Sequence, residues 1–475
     1  MAEPSKGVRD LTQGPVRATL MAFALPTLGA SVLQALCGTI NTIWVGRFLG
    51  EAALAATVNG NMISFLMVAL VFGTGMSATV LVGKAVGARD LVEARRVMGT
   101  AIGAFAVIAL VVAVAGWFAA PQILRLLGTP PQSAGLALDY LRITFIGLPA
   151  VLLANLLMMG LRGAGDALSP MWFTGFSAIL DLILNPVLIL GLGPAPRLGV
   201  AGAALAFTIA EVVTLAAVLV WIYARDLPIR LRGHEFGYLR PKARLLGEII
   251  GKGLPMGLQM ITVSVSAMAV MGLVNRQGVL TTAAYGVAQQ LWSYLQMPAM
   301  AVAAAVSAMT AQAVGARLWS RMHEIARWGV VIGMALTAAL VVLLLVSDHL
   351  VIGLFLGGRS LAGPIAEHIL ACANWGFVLM AASSVLFGAL RADGVVIRPL
   401  LVTIAAMLVL RLGVAFGAYD ALGAQALWLS LPAAHVCACL LAIGLYRHER
   451  RGRQRQRAMA DDDLVEGEPL PAILP

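Results

Sequence analysis

Charged residues are scarce in this chain of 475 residues: Asp, Glu, Lys and Arg make up 12 % of it, against 60 % hydrophobic residues. The surface of a soluble domain carries roughly a quarter or more charged residues, so this composition argues against a soluble globular protein. Charge is absent altogether from several long stretches, which include 52–83, 97–124, 253–274, 277–316 and 328–347. Each reaches the roughly 20 residues that a helix needs to cross a bilayer. The sequence therefore predicts an all-α membrane protein.

Residues for metal, redox or nucleophilic chemistry are also few. The four cysteines (Cys37, Cys372, Cys437 and Cys439) lie in apolar stretches without the spacing of a disulfide framework or a zinc site. A P-loop, a Ser-His-Asp pattern and a His-Glu-x-x-His pattern are missing. A membrane-embedded enzyme needs clustered His, Asp or Glu at an interface, where this chain has only single acids. We expect a protein that is not an enzyme and that uses no metal or cofactor.

What the sequence does contain is an internal duplication. Pro, Gly, Arg and Pro stand at positions 26, 128, 162 and 170, and the same four recur 229 residues later, at 255, 357, 391 and 399. The block Val86-Gly87-Ala88-Arg89 recurs one residue out of register as Val314-Gly315-Ala316-Arg317. Duplicated membrane bundles are typical of transporters in which one half rocks against the other around a site between them.

We predict twelve membrane spans, at about 18–45, 52–82, 97–120, 136–160, 168–191, 199–223, 247–275, 281–311, 328–347, 366–390, 396–419 and 422–446. Six spans fall in each half, which gives an N-terminal lobe at 18–223 and a C-terminal lobe at 247–446. Because six is even, both lobes have the same orientation in the membrane.

Lys and Arg are concentrated at both termini and in the even-numbered connections. The positive-inside rule then places both termini in the cytoplasm and the chain in the inner (cytoplasmic) membrane. The net charge of +10 follows from this topology and indicates no nucleic-acid partner. We expect 1–17 to be a cytoplasmic segment without a cleavable signal peptide, 224–246 a cytoplasmic linker, and 447–475 a disordered tail. The basic part of that tail either contacts anionic lipid or is simply solvated.

Two acids lie deep inside predicted spans, where an ionisable group is a functional candidate. At ~1.5 Å per residue, Asp181 lies about 19 Å from the start of the fifth span and Glu211 about 18 Å from the start of the sixth. Both are therefore near the midplane and able to face one site. Two carboxylates in one dry site favour holding a proton between them, as proton coupling requires. The alternative for Asp181 is a structural partner of an Arg or a Tyr.

Amide side chains accompany these acids. Asn185 lies one turn beyond Asp181, on the same face. On the first span Thr27, Gln34 and Asn41 recur every seven residues, a polar stripe that should face protein or water. Together with Asp181, the amide oxygens of Asn185 and Asn41 suit a proton or a hard monovalent cation.

Two positions on the eighth span suit contact with a transported molecule. Gln289 and Tyr294 belong to an amide- and aromatic-rich part of the eighth span that suits flat amphiphilic cations by stacking and cation–π attraction. Plain helix packing explains this composition equally well. Arg411 and His435 are the other ionisable residues well inside apolar spans, and His435 is expected to be a satisfied helix-contact residue.

The order of short motifs along the chain resembles the multidrug and toxic compound extrusion (MATE) family. The matching pieces are Ala24-Leu25-Pro26, Asn41-Thr42-Ile43-Trp44-Val45-Gly46, Val86-Gly87-Ala88-Arg89, Gly160-Leu161-Arg162-Gly163-Ala164-Gly165-Asp166, Leu184-Asn185-Pro186 and Leu198-Gly199-Val200-Ala201-Gly202-Ala203-Ala204-Leu205-Ala206. The resemblance implies two six-helix lobes around a V-shaped cavity. It also implies export of organic, often cationic compounds in exchange for H⁺ or Na⁺ by alternating access. We expect a monomer whose partners are the transported small molecule, the coupling cation and membrane lipid.

The resemblance gives roles to two more residues. Pro26 lies where the family bends its first helix, so it is either a hinge or a simple kink. Arg411 resembles an arginine of the eleventh helix, which packs or caps carbonyl groups or, alternatively, contacts the substrate together with Gln34, Gln289 and Tyr294 in the cavity.

The chain departs from the family at several positions. Asn41 stands where many members have an Asp. In the fifth helix many members have an Asn followed one turn later by an Asp, whereas here Asp181 comes first and Asn185 second. The C-terminal acids of Vibrio-type members correspond here to Val263 and Met380, so the resemblance places cation coupling in the N-terminal lobe. With one acid fewer in that shell, H⁺ is expected over Na⁺, because Na⁺ needs about five or six oxygen ligands. The alternative function is a flippase for lipid-linked precursors, which predicts more than twelve spans and a basic central cavity.

Overall fold

The computed structural model describes residues 10–49, 72–126, 131–192, 196–356 and 360–465, and all regular secondary structure in these ranges is helical. The helices of the N-terminal half are α1 (Val16–Leu49), α2 (72–87), α3 (Leu91–Leu126), α4 (Pro131–Ala164), α5 (Leu168–Leu190) and α6 (Val200–Ala224). Those of the C-terminal half are α7 (Ala243–Asn275), α8 (Val279–Gly315), α9 (Trp319–Val346), α10 (Asp348–Leu356), α11 (Gly363–Ala373), α12 (Gly376–Asp393), α13 (Ile397–Ile404), α14 (Arg411–Gly417), α15 (Tyr419–Leu422) and α16 (Ala424–Val465).

Eleven helical segments in the described ranges are long and apolar enough to cross a membrane. A helix is the form such a segment takes because every backbone N–H and C=O in hydrocarbon must bond within the protein. The predicted second span, 52–82, lies mostly outside the described residues, and its described part belongs to α2. The structure thus confirms an all-α membrane protein with two six-helix lobes.

The duplication is repeated in unusual backbone conformations. The same positive φ angle occurs at corresponding places of the two halves: 59° at Arg89 and 58° at Arg317, 106° at Gly165 and 109° at Gly394, and 57° at both Gly199 and Gly423. A left-handed conformation is costly for a residue with a Cβ atom. Its recurrence at both arginines shows that the two halves end their second helix in the same way.

The two lobes meet closely at one end of the bundle, which we call the terminal face because Leu11, near the N-terminus, and Arg453 of α16 lie there. A Cβ atom on Gly87 would lie 2.0 Å from the carbonyl oxygen of Gln312, and one on Gly315 would lie 2.0 Å from that of Lys84. The contact is reciprocal, since each glycine belongs to one copy of the repeated block and touches the helix of the other copy. Only glycine permits this approach of α2 and α8.

Side chains fasten the same face. The Gln312 amide donates to the carbonyl oxygen of Gly163 at 3.0 Å and accepts from the backbone N–H of Leu11 at 3.2 Å. The Arg321 guanidinium donates to the carbonyl oxygens of Leu11, Gln13 and Gly14, the shortest of these bonds being 2.7 Å. The segment before α1 is therefore held on the C-terminal lobe.

The predicted linker 224–246 is ordered by one buried acid. It contains a 3₁₀ helix, Gly233–Leu239, that packs on α3. Glu235 accepts from Arg95 Nη1 at 2.9 Å and from the backbone N–H of Arg232 at 2.8 Å. The linker is thereby tied to the N-terminal lobe.

The predicted disordered tail at 447–475 is wrong over most of its length, because α16 continues from the last span to Val465. Arg, Gln and Ala favour helix, and a helix that extends an existing one needs no new nucleus. Ion pairs of Arg398 with Glu449 and of Arg453 with Asp393 hold the first helical turns of the tail against the C-terminal lobe. Residues 466–475 lie outside the described part.

The tenth and eleventh predicted spans are not simple helices. The tenth breaks between α11 and α12, where Asn374 accepts from Trp292 Nε1 at 3.0 Å. In the eleventh, a π-helical turn at Ala405–Leu410 joins α13 to α14. Such turns are rare and occur frequently at functional sites.

Candidate functional site

One face of α5 is polar and buried. Ser177, Asp181 and Asn185 follow one another at intervals of four, so they line up along the helix. Asp181 is 4 % exposed and Asn185 is 1 % exposed. This face lies between α1 and α6, against which α5 packs.

The structure brings Glu211 of α6 to this face. Ser177 Oγ donates to Glu211 Oε1 at 2.8 Å, and the two carboxylates of Glu211 and Asp181 interact electrostatically. Because α5 and α6 are antiparallel, Glu211 lies at the level of Ser177, one turn before Asp181. The two acids that the sequence places at similar depth thus share one site.

Helix α1 supplies the third side of the site. Cys37 Sγ donates to Asp181 Oδ2 at 3.5 Å. Asn185 Nδ2 donates to the Asp181 carbonyl oxygen at 3.0 Å. Asn41 lies one turn beyond Cys37 and is half-buried. We call Cys37, Ser177, Asp181, Asn185 and Glu211 the acidic cluster.

Several oxygens of this region are buried without a hydrogen-bond partner among the described residues. They are Oδ1 of Asn41, Asp181 and Asn185 and Oε2 of Glu211. An unsatisfied buried oxygen costs about 1–3 kcal/mol, more when it is charged. Oxygen atoms of this kind are the groups that accept a proton or bind a hard cation.

A cavity of about 640 Å³ lies in the C-terminal lobe, between α7, α8, α12, the eleventh span and α16. Phe72 and Met76 of α2 close it from the N-terminal lobe. Its lining includes six methionines, which are Met76, Met256, Met260, Met300, Met380 and Met407. Flexible thioether side chains adapt to ligands of different shape. The volume is in the range of small-molecule sites, about 300–1,000 Å³.

The ionisable residues of the cavity are basic. Arg411 is 4 % exposed and donates through Nη1 to Ser266 Oγ at 3.4 Å, and His435 is 2 % exposed. Arg411 and His435 interact electrostatically. We call Ser266, Arg411 and His435 the basic cluster. Arg391 also lines the cavity, and no Asp or Glu is among its described lining residues.

The basic cluster corresponds to the acidic cluster through the duplication. Cys37, which donates to Asp181, and Ser266, which accepts from Arg411, are separated by 229 residues, the interval of the repeat. Asp181 follows Pro170 by 11 residues, whereas Arg411 follows Pro399 by 12. The π turn of the eleventh span accounts for the difference, because it takes up one residue more than an α-helical turn. Arg411 thus occupies the place of Asp181.

The second pair corresponds in the same way. Gly199 precedes α6 and Gly423 precedes α16, each with φ of 57°. Glu211 follows the first glycine by 12 residues, and His435 follows the second by 12. Both acids of the acidic cluster, Asp181 and Glu211, therefore have a basic residue at the matching position of the C-terminal lobe.

The remaining predicted residues are placed as follows. Gln289 lines the cavity beside Arg411, as do Val263 and Met380. Gln34 is exposed on α1, and Tyr294 packs at the edge of a C-terminal apolar cluster; both lie outside this cavity. Their contact with a transported molecule stays a prediction.

Pro26 is buried within the continuous helix α1, and the role of hinge or kink is likewise untested.

Sequence reasoning missed Cys37, Ser177, Ser266 and the methionine lining. The first three carry ordinary side chains in apolar helices, which give no signal in isolation. Adding 229 to Cys37 does find Ser266. The match of Arg411 to Asp181, however, needs the π turn, which has no sequence signature.

Two lobes of one fold, each with buried ionisable groups at its centre, define a duplicated membrane transporter. A family model described as MatE matches residues 26–187 and again residues 255–416, two segments offset by the interval of the repeat. The chain belongs to this multidrug and toxic compound extrusion family, and is a multi-pass membrane protein of a family that exports small molecules.

Individual relatives agree with this assignment. The chain is 32 % identical over 441 residues to the probable multidrug resistance protein YoeA of Bacillus subtilis, covering 92 % of this chain and 95 % of the relative. It is 27 % identical to an FAD transporter of Shewanella oneidensis, over 66 % of this chain and 68 % of the relative. A solved MATE transporter in an outward-facing conformation has the same fold, with a TM-score of 0.88, 22 % identity and coverage of 96 % of this chain and 100 % of the other.

Proposed function

We propose that this protein is a secondary antiporter that exports organic amphiphiles in exchange for H⁺ by alternating access. The observation that carries the proposal is that two acids, the buried Asp181 and the half-buried Glu211, lie close together inside a membrane lobe. An intramembrane acid is costly and is retained where it serves transport of an ion or substrate. Membership of the family supports the export of small molecules, and the acidic cluster supports the coupling to a cation.

Protons fit the acidic cluster better than Na⁺ does. Two neighbouring carboxylates in a site shielded from water repel each other, and a shared proton removes that repulsion. Cys37 and Ser177 each donate to one carboxylate oxygen, which leaves the other oxygen of each acid for the proton. A Na⁺ site needs about five or six oxygens, whereas the unpartnered side-chain oxygens at the described site are those of Asn41, Asp181, Asn185 and Glu211.

The closed terminal face supports alternating access. Gly87 and Gly315 bring α2 and α8 together there, so separating the lobes at this face would open a path on that side. We infer from the distribution of Lys and Arg that the terminal face is cytoplasmic and that the protein lies in the inner membrane. We further propose that it acts as a monomer. The conformation is then the one closed to the cytoplasm, in which cargo is released outward.

The names of relatives do not select the cargo. One relative is named for multidrug resistance and another for FAD, which differ widely in charge and shape. A cationic cargo is the expectation from the family resemblance, and the basic cluster in the cavity argues against it.

A lipid-linked precursor flippase is the second candidate, because its predicted basic cavity is present at Arg411 and Arg391. Such precursors carry a negatively charged phosphate group. The predicted number of spans stays at twelve, and the matched family model is MatE rather than that of a flippase branch. We therefore place export of a free small molecule first.

The coupling ion is tested in proteoliposomes with the purified chain and with one gradient imposed at a time. Carboxyfluorescein and rhodamine 6G, an anionic and a cationic xanthene dye, serve as probes so that the result does not depend on cargo charge. We expect a proton gradient alone to drive movement of one of the dyes, and a Na⁺ gradient at clamped pH to drive neither. Transport driven by Na⁺ but not by the proton gradient would contradict proton coupling.

Asp181→Asn is the decisive variant in this assay, because it removes the central carboxyl group and keeps its shape. Gradient-driven transport is expected to fall to the level of empty vesicles, since the amide does not exchange a proton. Asp166→Asn is the matched control. Asp166 is also buried in the N-terminal lobe, but its Oδ1 caps the start of α5 by accepting from the Ser169 N–H at 2.9 Å. Asn caps equally well, so the control should transport.

A further inference from the structure

We propose that the C-terminal cavity binds its cargo through a negatively charged group held by Arg411, so that the exported molecules are amphiphilic organic anions. This inference rests on the proposed export function but not on the identity of the coupling ion. It is based on the inversion of charge between the two clusters and on the N–H donors of Arg411 that have no hydrogen-bond partner.

Arg411 has more hydrogen-bonding capacity than its surroundings satisfy. A guanidinium presents five N–H donors in a fork that matches a carboxylate or phosphate. Arg411 donates through Nη1 to Ser266 Oγ at a long 3.4 Å, and the Tyr285 hydroxyl is a second polar neighbour. The Arg411 Nε has no hydrogen-bond partner in the described part of the chain. Donors therefore remain for an anionic ligand.

Arg411 also lacks a counter-charge among the described residues. No described Asp or Glu forms an ion pair with it, and none lines the cavity. An unpaired buried charge is strongly unfavourable, and arginine does not lose its proton to avoid that cost. A ligand carrying a negative group relieves this situation when it binds, whereas a cationic ligand makes it worse.

A second arginine extends the basic wall. Arg391 lines the same cavity, and its Nε donates to the Phe387 carbonyl oxygen at 3.1 Å, which fixes the side chain along α12. The cavity therefore contains two guanidinium groups from different helices. Both favour the same sign of charge in a ligand, and neither is neutralised by a described acidic lining residue.

The rest of the wall indicates an apolar, partly aromatic body for the ligand. Trp292 and Phe377 line the cavity and pack on each other, with ring centroids 5.9 Å apart. The methionines complete an adaptable apolar surface. Gln259 and Gln289 add amide groups that bind polar substituents. The combination fits a flat amphiphile with one anionic end.

Binding of the two dyes to the purified protein tests the inference without requiring transport. Fluorescence polarisation in detergent gives the Kd of carboxyfluorescein and of rhodamine 6G. Carboxyfluorescein is expected to bind the tighter of the two. Arg411→Gln should weaken carboxyfluorescein about tenfold to a hundredfold, the usual value of a charged hydrogen bond. Arg411→Lys, which keeps the charge but loses the fork, should lie between.

Arg142→Gln is the control, because Arg142 is also an intramembrane arginine but lies over the Trp117 ring, at 5.2 Å, away from the cavity. It should leave both Kd values unchanged. Tighter binding of rhodamine 6G than of carboxyfluorescein, or an Arg411→Lys protein that folds and binds carboxyfluorescein as weakly as the Gln variant, would overturn the proposal.

Competition separates two sources of the anionic group. Geranylgeranyl pyrophosphate represents a lipid head group, and 1-naphthoate represents a free organic acid. Displacement of carboxyfluorescein by naphthoate at the lower concentration supports a free organic anion, and displacement only by the pyrophosphate supports the flippase. Displacement by neither overturns the proposal. If the dye binds through Arg411 but no cation gradient moves it, the antiport function fails while the anion site stands.

Discussion

The two lobes have the same backbone fold but carry ionisable groups of opposite charge at their centres. In the N-terminal lobe Asp181 accepts from Cys37 and lies near Glu211, whereas in the C-terminal lobe Arg411 donates to Ser266 and lies near His435. The neighbouring helix supplies a small polar side chain at the same repeat position in both. Duplication has therefore preserved the site and inverted its charge. Under the proposed function one copy binds a cation and the other an anion, so that ion and cargo bind without competing for the same groups.

The surroundings of the two clusters differ as well. The acidic cluster lies between closely packed helices, while the basic cluster opens into a cavity of about 640 Å³. A proton needs no space beyond the carboxyl oxygens, but an organic ion does. The difference in volume and the difference in charge thus both favour binding of the coupling ion in the N-terminal lobe and binding of the cargo in the C-terminal lobe.

Where the lobes are alike, matched substitutions should have matched effects. Gly87→Ala and Gly315→Ala each place a Cβ atom 2.0 Å from a backbone carbonyl oxygen of the other lobe. Overpacking of this kind costs about 1–3 kcal/mol, and here the cost falls on the conformation closed at the terminal face. We expect both variants to lose most of their proteoliposome transport rate, and by similar factors.

Gly251→Ala is the control for this pair, since a Cβ atom there has no neighbour within 4 Å. It should transport at the wild-type rate. A large loss in only one of the two interface variants would mean that the lobes do not close symmetrically.

A smaller effect is expected where the clusters differ in one atom. Cys37→Ser gives the acidic cluster the hydroxyl that Ser266 provides in the basic cluster. The hydroxyl still donates to Asp181, so the transport rate under a proton gradient should change by less than about twofold, within the range of a neutral hydrogen-bond exchange. A loss as complete as that of Asp181→Asn would show that the thiol itself takes part in coupling.

Much of this arrangement could be predicted from the sequence. Twelve spans, two lobes and the shared depth of Asp181 and Glu211 follow from hydrophobic length and the rise of a helix. The helical tail after Tyr446 was missed because its arginines indicate a solvated segment as readily as a helix. The cavity could not be predicted, since its methionines come from five spans whose contacts no local pattern encodes.

The equivalence of Arg411 and Asp181 shows why the site was harder to predict than the fold. At the interval of 229 residues Asp181 corresponds to Leu410, so a comparison of the two halves by sequence alone does not match it to Arg411. Only the π turn at Ala405–Leu410 restores the correspondence. The one extra residue of this turn thus determines which side chain faces the centre of the lobe.

The most direct test of the division of work is the Kd of carboxyfluorescein, measured side by side for Asp181→Asn and Arg411→Gln in the same detergent. The two clusters lie in different lobes, so Asp181→Asn should bind within about twofold of wild type although it does not transport, while Arg411→Gln should bind about tenfold or more weakly. The opposite result, with dye binding lost in Asp181→Asn and kept in Arg411→Gln, would place the cargo at the acidic cluster and contradict the account.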